Sequence, residues 1–252
     1  MKKPPFPPLR LKKSVGPVSD EYYDNKRGSA VFGADIPFVN YRSVFDFGCG
    51  CGRIARQMML QNEAVPEKYV GIDLFEDSIL WARKNLTKFN DRYTFYHHDV
   101  HNAQFNPGSV ELTAQFPVSD KFTLVNAHSV FTHICEPQIE HYLDECSRIL
   151  DGEGVFRSTW FLFDKNNLPM MQEAQNCLYI NLSDPTNATI YDYRFVEKMF
   201  SKSGLVIYKI IPPDIRGHQW VLLARKEGGG CLGVNFPEDA APIGIVRPPE
   251  SM

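Results

Sequence analysis

Asp46 is followed at alternate positions by glycine in Val44-Phe45-Asp46-Phe47-Gly48-Cys49-Gly50-Cys51-Gly52-Arg53. Glycines so spaced let the backbone turn sharply and approach a ligand with no Cβ in the way. An apolar run precedes them and a helical pattern follows, so the turn joins a strand to a helix whose first amides favour a negative group. The dinucleotide fingerprint has its third glycine at the sixth position. Here that position is Arg53, and glycine falls at the first, third and fifth. No Gly-Lys-Ser or Gly-Lys-Thr follows, which excludes the common phosphate loop. Cys49 and Cys51 form a C-x-C pair without a second pair at zinc spacing, so they read as filling for the turn, and no metal is expected.

About 20 residues on, Gly71-Ile72-Asp73-Leu74 sets a carboxylate after an apolar run. A carboxylate there can accept hydrogen bonds from both hydroxyls of a ribose. It could instead cap the following helix, although Asp77 and Ser78 look better placed for that. A third acid, Asp99, follows in His97-His98-Asp99-Val100, where an acceptor can read an adenine amino group and Val100 and Phe75 can sandwich a ring. Alone it would be a loop acid; its order after Asp46 and Asp73 favours the binding role.

The elements that must position these residues are legible from Ser43 onward. Short β-rich runs alternate with helical patterns, the signature of a parallel sheet covered by helices. Strands are expected at 43–47, 68–73, 93–97, 122–127, 154–161, 205–211 and 219–225, and helices at 53–62, 76–89, 137–150 and 194–203. The last helix starts at Asp192 and stops at Gly204. The final two strands follow each other through Pro212, Pro213 and Gly217, which makes a hairpin. Two irregular stretches, 102–120 and 164–189, are long enough to suggest substrate-contacting loops. Residues 1–42 form an N-terminal arm, 43–226 the domain, and 227–252 a flexible tail that adds little to the core.

The chain has 252 residues, with 27 Lys plus Arg against 30 Asp plus Glu. That near-neutral balance argues against a phosphate-tracking surface, so nucleic acid is disfavoured. The one basic cluster, Lys2, Lys3, Arg10, Lys12 and Lys13, is interleaved with prolines and reads as a solvated arm. No stretch is long and apolar enough to span a bilayer, and the N-terminus lacks the apolar core of a signal peptide. Six scattered cysteines suit reduced thiols. A soluble, cytoplasmic protein is expected.

With these motifs in order, the sequence resembles the class I S-adenosylmethionine-dependent methyltransferases from about Ser43 to Lys226. The resembling residues are Asp46, Gly48, Gly50 and Gly52, then Asp73, then Asp99. Further on, Phe122 to His133 resembles the family's fourth strand and turn, and Tyr142 to Gly154 its helix and turn into the fifth. Relatives commonly read Arg-x-Leu-x-Pro-Gly-Gly in the last stretch. This chain has Asp151, Gly152, Glu153 and Gly154 instead.

The resemblance implies a Rossmann-like α/β fold: a mostly parallel seven-stranded sheet, helices on both faces, and a C-terminal antiparallel hairpin. It implies S-adenosylmethionine as cofactor. Asp46, Gly48, Cys49, Gly50 and Gly52 would lie along its methionine part, Asp73 and Leu74 at its ribose, Asp99 and Val100 at its adenine, and Asn126 beside them. His128 and His133 follow the fourth strand, where the methyl group would be presented, and imidazole suits proton removal near neutral pH. Either histidine is a candidate base, with His133 preferred; packing or turn capping is the competing role.

Asn126 is followed by Ala127-His128-Ser129 instead of a Pro-Pro-aromatic turn, which disfavours methylation of base amino groups. Phe131, Trp160, Phe161, Phe163, Tyr191 and Trp220 concentrate toward the acceptor side. Some must be core, since alternating aromatics on a strand are usually packing, and a few facing the cleft would suit a sugar ring. Together with likeness to glycan and natural-product enzymes, they suggest a hydroxyl of a small-molecule acceptor such as a sugar. Open alternatives are an N-methyltransferase or one acting on a macromolecule, and a nicotinamide oxidoreductase or non-catalytic nucleotide-binding module.

Overall fold

The computed structural model describes residues 3–213, 218–228 and 233–236. All seven expected strands form: β1 (Ser43–Phe47), β2 (Lys68–Asp73), β3 (Tyr93–His97), β4 (Phe122–Ala127), β5 (Leu150–Phe163), and, late in the chain, a hairpin of Leu205–Ile211 and Trp220–Lys226. Between β5 and that hairpin lie two further short strands, β6 (Cys177–Tyr179) and β7 (Thr189–Asp192), so the hairpin strands are β8 and β9. The helices are α1 (Leu9–Val15), α2 (Arg53–Met59), α3 (Glu76–Ala82), α4 (Glu136–Ile149) and α5 (Tyr193–Lys202). A π-helical turn, Arg83–Thr87, continues α3.

The chain divides into two compact units, residues 1–126 with 149–155, and residues 127–148 with 156–252. In the first, the strand order is β3-β2-β1-β4 with the start of β5 next to β4. β1, β2 and β3 are parallel, in a register that sets Asp46 opposite Gly71 and Asp73 opposite His97. Parallel strands covered on both faces are apolar almost throughout, and β1 and β2 are buried along nearly their whole length. Parallel pairing also brings the carboxyl ends of the strands, and their acids, to one edge of the sheet.

The basic N-terminal stretch, expected as a solvated arm, is packed. Leu11 is buried, and so is Lys12, whose ammonium pairs with Asp20. The apolar spacing of Leu11 and Val15, one helical turn apart, gave α1 a face to bury that the charges obscured. The expected capping of α3 by Asp77 or Ser78 does not occur. Phe75 is the cap residue, no side chain caps it, and Asp77 instead pairs with Arg10.

In the second unit, β5 pairs antiparallel with β9 over Phe156–Trp160 and parallel with β7 over Phe161–Phe163. β6 and β7 pair antiparallel, as do β8 and β9. Thus part of the stretch expected to be irregular after β5 is ordered as strand. Gly217, in the expected hairpin turn, lies outside the described residues. α5 starts where the sequence indicated: the Asp192 carboxylate accepts from the Phe195 amide at 3.3 Å. Gly204 follows its last turn at φ +67°.

Part of the expected tail does join the core. Phe236 is buried, with its ring 4.8 Å from that of Tyr193 and 6.1 Å from that of Trp220. Residues 229–232 and 237–252 of that tail lie outside the described residues.

Gly71 on β2 lets the core close tightly on the glycine turn. A Cβ on Gly71 would lie 2.8 Å from Cys49 Sγ and 2.9 Å from Phe95 Cδ1. Gly71→Ala is therefore expected to destabilise the protein by about 1–3 kcal/mol through overpacking, read as a lower urea midpoint at unchanged slope.

Candidate active site

The turn after β1 is built from left-handed glycines: Gly48, Gly50 and Gly52 have φ of +75°, +53° and +79°. Any other residue at Gly50 or Gly52 would carry both backbone strain and a clash, since added Cβ atoms would lie 2.6 Å from Val15 Cγ1 and 2.4 Å from Leu86 Cδ1. The amides of Gly48 and Cys49 both donate to the carbonyl of Ile72, at 2.8 and 2.9 Å, which ties the turn to the end of β2.

Asp73 completes that tie. One carboxylate oxygen accepts from the Gly50 amide and the other from the Phe75 amide, each at 2.8 Å. The acid thus holds the glycine turn on one side and the entry to α3 on the other. Burial raises its pKa, while these amide bonds favour the charged form. Asp73 is half-buried and each oxygen has a second lone pair, so hydroxyl donors can still reach it.

Asp46 is fully buried. Asn126 donates to it at 2.6 Å and the Tyr69 hydroxyl donates to its other oxygen. Burial pushes its pKa up to about 6, against the lowering effect of these two donors. Nothing in the sequence singled out Tyr69, because an aromatic on a buried strand reads as packing.

Asp99 is exposed. Asn106 donates to it at 2.9 Å and holds its pKa below the ordinary carboxylate value. Val100 beside it is buried, Phe75 is half-buried, and the Leu74 carbonyl lies 3.0 Å from the His97 ring. The expected cofactor residues of this unit, Asp46, Gly48, Cys49, Gly50, Gly52, Asp73, Leu74, Asp99, Val100 and Asn126, thus sit on the turns and strand ends at one edge of β1 to β4. Asp73 and Asp99 keep lone pairs within reach of a ligand, whereas Asp46 is fully buried and both of its oxygens already accept a hydrogen bond. Cys49 and Cys51 are buried, with thiol pKa values raised by burial. Among the described residues no group of three or more potential metal ligands occurs.

In the second unit, the two histidines differ in what their rings face. His133 Nδ1 is 2.8 Å from the carbonyl of Thr186, and a carbonyl can only accept. Nδ1 therefore carries the proton, and Nε2 is left as the basic nitrogen. His128 Nδ1 lies 3.4 Å from Arg157 Nη1, and a guanidinium can only donate. Its basic nitrogen is thus turned to Arg157.

Between them, Ser129 adopts the left-handed conformation at φ +59°. A ring of hydrogen bonds holds it there. The Ser129 amide donates to Thr159 Oγ1 at 2.7 Å, Thr159 donates to Gln219, and Gln219 donates back to Ser129 Oγ at 2.7 Å. Sequence reading missed Thr159, Gln219 and Thr186, which lie far along the chain and match no motif. The aromatics expected toward the acceptor side are mostly core. Phe131, Trp160, Phe163, Tyr191 and Trp220 are buried, and Phe131 stacks on Trp160 at 4.4 Å; only Phe161 is partly exposed.

A family model for a methyltransferase domain matches residues 40–200. The fold is similar to the O-methyltransferase of a trans-AT polyketide synthase multienzyme from Brevibacillus brevis, solved with S-adenosylhomocysteine (13% identity, 77% of this chain and 69% of that one, TM-score 0.54). It is also similar to an S-adenosylmethionine-dependent methyltransferase from Aquifex aeolicus (14% identity, 87% and 98%, TM-score 0.51). A third similar structure is the geranyl diphosphate C-methyltransferase of Streptomyces coelicolor (12% identity, 73% and 70%, TM-score 0.51). The chain belongs to the methyltransferase-domain family, and with it to the class I S-adenosylmethionine-dependent methyltransferases.

The raised pKa of Asp46 fixes the sign of a pH effect. The folded chain holds this proton more tightly than the unfolded one, so the group's contribution is full below about pH 4 and is lost as pH rises through about 6. Asp46→Asn keeps an acceptor for Asn126 and removes the charge. Denaturant unfolding at pH 4 and pH 7 should show the wild type losing on the order of 2 kcal/mol relative to this variant.

Proposed function

We propose that this methyltransferase acts on a hydroxyl of a small-molecule acceptor, with His133 as general base. The observation that carries the base assignment is the 2.8 Å contact from His133 Nδ1 to the Thr186 carbonyl, which fixes the tautomer and leaves Nε2 basic. S-adenosylmethionine supplies an electrophilic methyl group on a sulfonium. His133 Nε2 takes the hydroxyl proton as the oxygen becomes the nucleophile. His128 serves a different purpose, orienting Arg157.

The acids divide the cofactor between them. Asp46, fully buried, helps to place the ammonium of the methionine part through its charge, assisted by Asn126; the glycine turn with Cys49 lies along that part. Asp73, with Leu74, holds the ribose hydroxyls through its free lone pairs. Asp99 accepts from the adenine amino group, and Val100 and Phe75 flank the ring. Amides and carboxylates together match a zwitterionic, hydroxylated ligand better than a pyrophosphate, which supports the class over a nicotinamide enzyme.

Calorimetry with S-adenosylhomocysteine should give binding that NAD and NADP do not. Its affinity should weaken as pH falls through about 6, because the charge that helps to place the ammonium is present only when Asp46 is ionised. pH-independent binding between 5 and 7 would remove Asp46 from that role. For the chemical step, His133→Gln should slow single-turnover transfer by about 10²–10⁴-fold, the usual range for a lost general base, with S-adenosylhomocysteine affinity unchanged. His128→Gln should cost far less. Equal rates in both variants and wild type would point to a nitrogen acceptor, which needs no such base.

A further inference from the structure

The N-terminal segment is pinned at both roots by one side chain. Arg56, on α2, is buried; its Nε donates to the Pro4 carbonyl at 3.0 Å and its Nη1 to the Tyr23 carbonyl at 2.6 Å. Asp24 lies 3.3 Å from the same Nη1, and the guanidinium carbon sits 3.7 Å from the centroid of the Phe6 ring. A planar fork of fixed donors suits this double grip in a way a lysine would not. Between the roots the chain forms α1 and turns at Gly16, whose φ of +105° is open to glycine.

The tip of this loop rests on the glycine turn. Val15 Cγ1 occupies the space where a side chain on Gly50 would begin, 2.6 Å from that position. Leu11, Tyr23 and Cys51 form one buried cluster, and Val15, Phe75 and Trp81 pack against it. The Tyr23 hydroxyl lies 3.6 Å from Cys51 Sγ. Val15 of α1 thus covers Gly50, and Phe75 packs against the cluster to which α1 contributes Leu11.

We propose that residues 4–24 are a flap forming the outer wall of the cofactor site, with Val15 as a cofactor-contacting residue, Arg56 as the positioning clamp, and movement of α1 as the step that admits and releases the cofactor. This rests on the methyltransferase reading above. The roots are held by buried hydrogen bonds. Within α1, Leu11 and Lys12 are buried, whereas its last residue, Val15, is only half-buried. The Arg10–Asp77 pair has both side chains substantially exposed, and such pairs hold weakly. Opening therefore starts at the tip.

The test uses the full chain and S-adenosylhomocysteine. In wild type, saturating ligand should slow trypsin cleavage after the exposed Lys13 at least tenfold relative to cleavage after the exposed Arg92. Val15→Glu should raise the dissociation rate of S-adenosylhomocysteine tenfold or more, and Val15→Ile should restore it. Arg56→Lys should raise both the basal cleavage at Lys13 and the dissociation rate. Wild-type binding with no protection of Lys13, or Val15→Glu releasing ligand at the wild-type rate, overturns the flap while leaving the cofactor reading intact. A wild type that binds no S-adenosylhomocysteine overturns both. The trypsin experiment on wild type decides the matter even if a variant fails to fold.

Discussion

A single buried carboxylate sets the geometry of the first unit. Asp46 on β1 is met by Tyr69 from β2 and by Asn126 from β4, so three strands are bound to one group inside a sheet that is otherwise apolar. An acid in that position is costly unless its oxygens are satisfied, and satisfying them locks the strands laterally at the level where the glycine turn begins. Removing either donor would leave a buried acceptor short of a partner, a larger loss than the bond itself. The turn, the grip of Asp73 on Gly50, and the entry to α3 all follow from strand ends held at that level.

The second unit handles its polar groups differently. Its hydrogen-bonded ring of Ser129, Thr159 and Gln219 stabilises a residue in a backbone state that L-amino acids avoid, at a cost of about 1–2 kcal/mol. Such strain is sustained only where surrounding bonds over-determine it. Here they orient the segment between two histidines whose proton positions are dictated by a carbonyl in one case and a guanidinium in the other. Donor-only and acceptor-only partners thus differentiate two side chains of the same type five residues apart.

Much of the fold was legible because its signals are local. Glycine at positions 48, 50 and 52, acids at the ends of apolar runs, and Asp192 ahead of a helical pattern each act through their immediate neighbours. β6 and β7 were not legible because each has only three or four residues, too few for a pattern. The partners Tyr69, Thr186 and Gln219 were hidden for a different reason. Their roles come from tertiary meetings over 23 to 90 residues of chain, and nothing in their own vicinity announces them. The N-terminal segment was misread because its lysines and prolines outweighed two apolar residues, and because the arginine that anchors it belongs to another helix.

The π-helical turn at Arg83–Thr87 bears on the glycine turn. Arg83 donates to the Phe95 carbonyl at 2.7 Å and Thr87 to the Tyr93 carbonyl at 2.6 Å, so the wide turn is fastened to β3. Leu86 lies within this wide turn, and its Cδ1 is 2.4 Å from where a Cβ on Gly52 would lie; a residue removed ahead of it in the helix would rotate it by roughly 100°. The angular phase of this helix is therefore a property the sequence must conserve as a count of residues rather than as a set of side chains. Shortening the stretch by one would leave its composition nearly unchanged yet swing Leu86 off the glycine and remove the floor of the turn.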